Sequence, residues 1–173
     1  MYIWVPVESP GAQHTWSSDM STVVRIKPHH FVDIVTAYGA GQNHFEPHPL
    51  GHAVHTVAQR LLADRDVVLE FELGADDVCA PCTKNNDGIC EDVIDTSYRP
   101  EAPSSKREWN LIIDRRWCAC LGIDQGERMT AREFCRRIQI SATDITTIYR
   151  EIPADRTAER AAKLSAGLRR FLA

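Results

Sequence analysis

The chain has no run of apolar residues near the roughly 18–20 needed to cross a bilayer, so no membrane-spanning helix is expected. Its first twenty residues show no basic start followed by an apolar stretch. No secretory signal is therefore expected, and the expected location is the cytoplasm, where thiols stay reduced. Positive charge is not in excess: the net charge is -4, which removes any general attraction to nucleic acid or to an anionic membrane. The pairs Arg115-Arg116 and Arg136-Arg137 read as solvated helix faces. Gly39-Ala40-Gly41 reads as a turn with no properly started helix behind it, not as a phosphate-binding loop. There is no Ser-His-Asp set, no nucleophile elbow, no His-Glu-x-x-His and no internal repeat.

What remains is ordinary in bulk and unusual in its cysteines. With 173 residues, 43% hydrophobic and 25% charged, the chain fits one globular domain. The expected class is α+β: a helix-dominated single domain, 1–173, with a small β-sheet and a cysteine-rich metal loop. Residues 1–21 form an N-terminal extension, with an edge strand expected over 1–7 before Pro10. Val23 to Lys27 reads as a strand, and Pro28 suits the first turn of a helix that stops near Gly39 and Gly41. Val54, Val57, Leu61 and Leu62 make an apolar helical stripe. Val67, Leu69, Phe71 and Leu73 alternate as a strand that could pair with the one near Val24. The cysteine loop spans 74–96 and a loop insertion 97–106. Helices are expected near 107–122, 130–139 and 156–172. A shorter one, about 141–151, is suggested by Ser141 with Asp144 three residues on.

Six cysteines in a reducing compartment point to metal or redox chemistry rather than to disulfides. Cys79-Ala80-Pro81-Cys82 places two thiols two residues apart, a spacing whose turn brings both sulfurs to one side. Pro81 stiffens that turn, and Gly88 permits the bend that returns Cys90 as a third thiol. Thiolates are soft ligands that select zinc or iron–sulfur clusters over hard cations. A thioredoxin-like pair would open a helix in a βαβ setting, whereas this pair sits among Asp and Asn. Cys118, Cys120 and Cys135 lie in apolar helical stretches and read as small hydrophobic residues. Cys118 and Cys120 remain candidates for a fourth ligand.

With these motifs in view, about residues 23–140 resemble the family called domain of unknown function 1284, whose members are suspected of binding iron–sulfur clusters. Arg25-Ile26-Lys27-Pro28-His29-His30-Phe31-Val32-Asp33 resembles the family's opening Arg-x-Arg-Pro-His-His-Leu-Leu-Cys. Asp76-Asp77-Val78-Cys79 through Cys82 to Gly88-Ile89-Cys90 resembles its cysteine loop, and Asp114 through Leu121-Gly122-Ile123 a later helix. The resemblance implies an iron–sulfur cluster, of 4Fe–4S type, with Cys79, Cys82 and Cys90 as three ligands. The family's fourth cysteine falls on Asp33, which leaves an oxygen ligand, another residue, water or a different ion such as zinc at that place. Cys118 and Cys120 match ordinary apolar positions of the family. The resemblance supplies a cofactor and no reaction.

His29, His30 and Asp33 lie within one helical turn, near enough to reach a metal or to act as acid–base groups. His44, His48, His52 and His55 form a second run, read as a solvated stripe that could line a substrate entrance. Three functions follow: Lewis-acid chemistry of lyase, hydratase or desulfidase type on a small-molecule substrate, with His29 or His30 as catalytic residues; electron transfer to a redox partner or redox sensing; or a structural zinc module for partner binding. The oligomeric state is not legible.

Overall fold

The structure is a computed structural model and describes residues 23–173. The expected N-terminal extension, with its strand over 1–7, lies outside the described residues. The fold is α+β and dominated by helices. A strand β1 (Val23–Ile26) leads into helix α1 (Pro28–Gly39), then α2 (Val54–Ala63) and strand β2 (Val68–Phe71). The chain continues through two short strands, β3 (Asn85–Asn86) and β4 (Ile89–Cys90), to helix α3 (Lys106–Leu121). Strand β5 (Arg128–Thr130), α4 (Ala131–Ser141) and α5 (Ala154–Leu172) complete it. Among the described residues, no helix is long and apolar enough to cross a membrane.

The expected pairing of the two longer strands is present: β1 runs parallel to β2, with Val24 opposite Leu69 and Ile26 opposite Phe71. β5 adds to the far side of β2, antiparallel, with Met129 opposite Leu69. Val24, Ile26, Leu69 and Phe71 turn their side chains into the core, as strand alternation requires. Against them stands an aromatic cluster. Phe31 of α1 and Phe134 of α4 have ring centroids 4.9 Å apart, Phe134 lies 4.5 Å from Phe71, and Phe171 of α5 lies 5.9 Å from Phe31.

α1 and α5 come together backbone to backbone. A Cβ placed on Gly39 would stand 2.0 Å from the Lys163 carbonyl oxygen, and one on Gly167 2.0 Å from that of Val35. Only glycine fits at either place, so these two residues fix how closely α5 covers the helix that carries His29 and His30.

The helix starts follow local chemistry. Pro28 occupies the first turn of α1, where a missing N–H costs nothing. The Ser105 hydroxyl accepts from the Glu108 N–H at α3, and Gly122, at φ 61°, closes that helix in the left-handed region. Thr130 and Glu133 form a reciprocal capping box at α4. The short helix expected over 141–151 is not formed. Ser141 ends α4, and Asp144 accepts from the backbone N–H and hydroxyl of Thr146, which commits its oxygen to a turn instead of a helix cap. β5 and the β3–β4 hairpin were not expected. The 97–106 insertion is tied back by a bridge between Val93 and Ser105, and its last residue begins α3.

Candidate metal centre

Asp76 organises the cysteine loop. It is buried, and its Oδ1 accepts from the Cys79 N–H at 2.9 Å, folding the first turn of the motif. Its Oδ2 accepts from the Lys27 N–H at 2.8 Å and from His30 Nδ1 at 2.7 Å. One carboxylate therefore joins the end of β1, the start of α1 and the first cysteine. The neighbouring Asp77 accepts from the Arg25 N–H at 2.9 Å, extending this seam along the strand. Burial alone would push the Asp76 carboxyl up, but His30 and the Lys27 donors hold it far below the usual carboxylate range.

Past Cys79, its carbonyl accepts from the Cys82 N–H at 2.9 Å, and the Cys82 sulfur accepts from the Lys84 N–H at 3.4 Å. The chain then enters the β3–β4 hairpin, in which Asn85 pairs with Cys90. Asp87 and Gly88, at φ 48° and 86°, form the two-residue loop, as a tight hairpin requires. The hairpin turns Cys90 back toward the Cys-x-x-Cys turn. Cys79, Cys82 and Cys90 line one cavity of about 140 Å³ together with His30. All three thiols are unpaired.

The rest of that wall mixes apolar residues such as Leu73, Val78 and Leu111 with cationic ones. Lys27, Lys106 and Arg107 line it and no carboxylate does, although the chain as a whole is acidic. Lys27 is 5% exposed, and its ammonium donates to Cys79 Sγ at 3.4 Å. Lys106 also pairs with Asp92 at 2.8 Å. Burial and Asp76 push the Cys79 thiol up to about 11, with Lys27 opposing. The thiol thus keeps its proton near neutral pH until a cation replaces it.

The two histidines of α1 differ. His29 Nδ1 bonds Asp114 Oδ2 at 2.8 Å and its backbone N–H bonds Oδ1 at 2.9 Å, which locks it against α3. Burial lowers its pKa, but Asp114 outweighs burial and the net shift is upward. His30 lines the cavity, and burial with the neighbouring His29 lowers its pKa, so it is neutral at physiological pH. Because Asp76 accepts from Nδ1, that nitrogen carries the proton and the Nε2 lone pair is free to bind. His30, Asp76 and Cys79 offer ligand atoms within 4.8 Å of one another, a group able to hold a metal ion.

Asp33, at the position of the fourth cysteine, does not line the cavity. Its carboxylate pairs with Arg160 of α5. Burial raises its pKa, Arg160 and the two histidines outweigh that, and the net shift is downward. Cys118 and Cys120 pack against the core, with the Cys120 thiol 3.6 Å from the Ser141 carbonyl, and neither lines the cavity. Cys135 is fully buried. Of the second histidine run, only His52 reaches the cavity wall, stacked on His48 at 4.2 Å. Burial, with His48 and Lys106, lowers His52 to about 4. His44 pairs with Glu46 in solvent, and His55 lies in a separate hollow beside Phe45.

Sequence reasoning singled out the cysteines and His30 but missed the anchoring roles of Asp76 and Asp114 and the cationic residues of the wall. The one available signal was that Asp76 and Asp77 immediately precede the cysteine turn. No protein-family model, no curated protein and no solved structure matches the chain.

Proposed function

We propose that this protein binds an iron–sulfur cluster through Cys79, Cys82 and Cys90, with a non-cysteine fourth position, and that the cluster meets a small molecule in the cavity. The observation that carries this reading is the convergence of the three cysteines, two from the 79–82 turn and one from the β3–β4 hairpin, on one cavity. The resemblance of the His-His segment and the cysteine loop to the iron–sulfur family supports it.

Held by Cys79, Cys82 and Cys90, such a cluster would supply Lewis-acid chemistry toward a substrate oxygen or sulfur at its displaceable fourth position. Around it, Lys27 sets a buried positive charge against Cys79, and Arg107 and Lys106 make the entrance suited to a small anion. Asp76 fixes the tautomer and orientation of His30. Asp114 holds His29 away in the α1–α3 interface, so His30 is the histidine placed to act at the centre.

A second reading is favoured by one observation. His30, Asp76 and Cys79 are close enough for a single ion, which fits a structural zinc site. Purification without oxygen, followed by iron, sulfide and zinc analysis, separates the two. Iron and sulfide in matching amounts, with thiolate-to-iron absorption in the visible, is the expected result. Stoichiometric zinc without sulfide contradicts the cluster and leaves the structural site.

A further inference from the structure

Asp33, Cys118 and Cys120, the residues that sequence offers for the fourth position, are all engaged elsewhere: an arginine pair for the first, core packing for the other two. Asp76 is close to Cys79, but its two oxygens already accept three hydrogen bonds, from Lys27, Cys79 and His30, and a fully buried carboxylate so used is a support and not a ligand. His30 is different. It is the one imidazole of α1 on the cavity wall that the three cysteines also line, and its Nδ1–H is spent on a buried carboxylate. A metal-binding histidine characteristically gives its other ring N–H to such a partner, which fixes the ring and strengthens the free nitrogen as a donor.

We infer that His30 is the fourth protein ligand of the centre, through Nε2, with Asp76 as the residue that orients it. This rests on the cluster reading above and fixes the resting donor set as three thiolates and one imidazole, which a substrate must displace before any Lewis-acid chemistry. The design is economical in the chain. The same carboxylate that shapes the Cys79 turn also aims the imidazole, so the fourth ligand and the first cysteine are positioned by one group. Replacing a thiolate by a neutral imidazole lessens the negative charge on the centre and raises its reduction potential relative to an all-cysteine site.

The test uses the full chain purified without oxygen, reduced, and prepared both unlabelled and with ¹⁵N-histidine, with pulsed EPR measurement of nitrogen hyperfine coupling. A strongly coupled nitrogen that changes isotope with the histidine label is expected. In His30→Cys that coupling disappears while iron and sulfide are retained, and the potential becomes more negative. In His30→Ala the histidine coupling is lost as well, with water able to take the vacated corner. A wild-type cluster with no histidine coupling overturns the inference, as does a coupling that persists in His30→Cys. The wild-type spectrum needs no variant to fold. Protein free of iron and sulfide overturns the cluster reading itself and the inference with it, so the two failures are distinct.

Discussion

The molecule is held together in two different ways on its two sides. Where α1, α4 and α5 meet the three-stranded sheet, cohesion is carbon on carbon: Phe31, Phe71, Phe134 and Phe171 are essentially fully buried. Between residues 74 and 105, only Asp76, Val78, Cys82 and Ala102 are buried, and Ile89 and Val93 stand 49% and 70% exposed. That segment cannot be ordered by apolar burial, because it contributes almost none. Its order comes from a buried carboxylate and a two-residue hairpin turn, which bring three cysteines to line one cavity. Small units with too little core are stabilised by metal or cross-links. The cysteine segment has that character: it adds only Val78 and Ala102 to the hydrophobic core besides its hydrogen-bonded anchors.

The comparison is broken most severely from the core side. Phe134→Ala should destabilise the protein by about 3–5 kcal/mol, because it removes the ring that bridges Phe31 and Phe71. Urea unfolding should show this as a lowered midpoint, while the fraction still folded keeps its full metal content. A loss of metal from the folded fraction would mean that the two sides are not independent.

The loop side is broken at Asp76. Asp76→Ala leaves the Lys27 N–H and His30 Nδ1 without their acceptor and the Cys79 N–H with only the backbone carbonyl of position 76, at about 1–3 kcal/mol of local desolvation cost for each donor left unpaired and kept from water. Hydrogen exchange should quicken over 74–105 and metal binding should weaken sharply, with α5 still protected. Uniform loosening across both regions would contradict the division.

The smallest effect sharpens the contrast on the surface of the core side. Arg116 makes a bidentate pair with Glu151, at 2.7 Å for each bond, and the Glu151 carboxyl is brought down to about 2 chiefly by that pair. A carboxyl lowered on folding contributes stability above its ordinary value of 4.5, and the contribution fades as pH falls toward 2. Arg116→Ala should therefore cost about 1 kcal/mol at neutral pH, and the difference from wild type should shrink between pH 4.5 and 2. The metal content should not change. A difference that persists undiminished at low pH would place the effect in packing of the Arg116 stem.

The same contrast explains what could be read before the structure. Elements built by periodicity were legible: the β1 and β2 strands from alternating apolar residues, α1 from Pro28 onward, α2 from its stripe. So were the three thiols, since the Cys-x-x-Cys spacing is itself a geometric statement. The hairpin was not, because Asn85-Asn86-Asp87-Gly88 offers a turn signal but two-residue strands carry no pattern. β5 is three residues long and hides for the same reason. The short helix at 141–151 fails because Asp144 finds a nearer partner in Thr146. Asp33 marks a subtler limit. The family resemblance set it at the place of the fourth cysteine, but a local motif does not say that Arg160, 127 residues further on, will take the carboxylate.

The central claim is that three cysteines and His30 form one metal centre at this cavity. Crystals grown without oxygen, measured on both sides of the iron and zinc absorption edges, test it most directly. The account predicts an iron anomalous signal within bonding distance of the Cys79, Cys82 and Cys90 sulfurs and of His30 Nε2. A zinc signal on His30, Asp76 and Cys79, or no metal signal at the cavity, would contradict it.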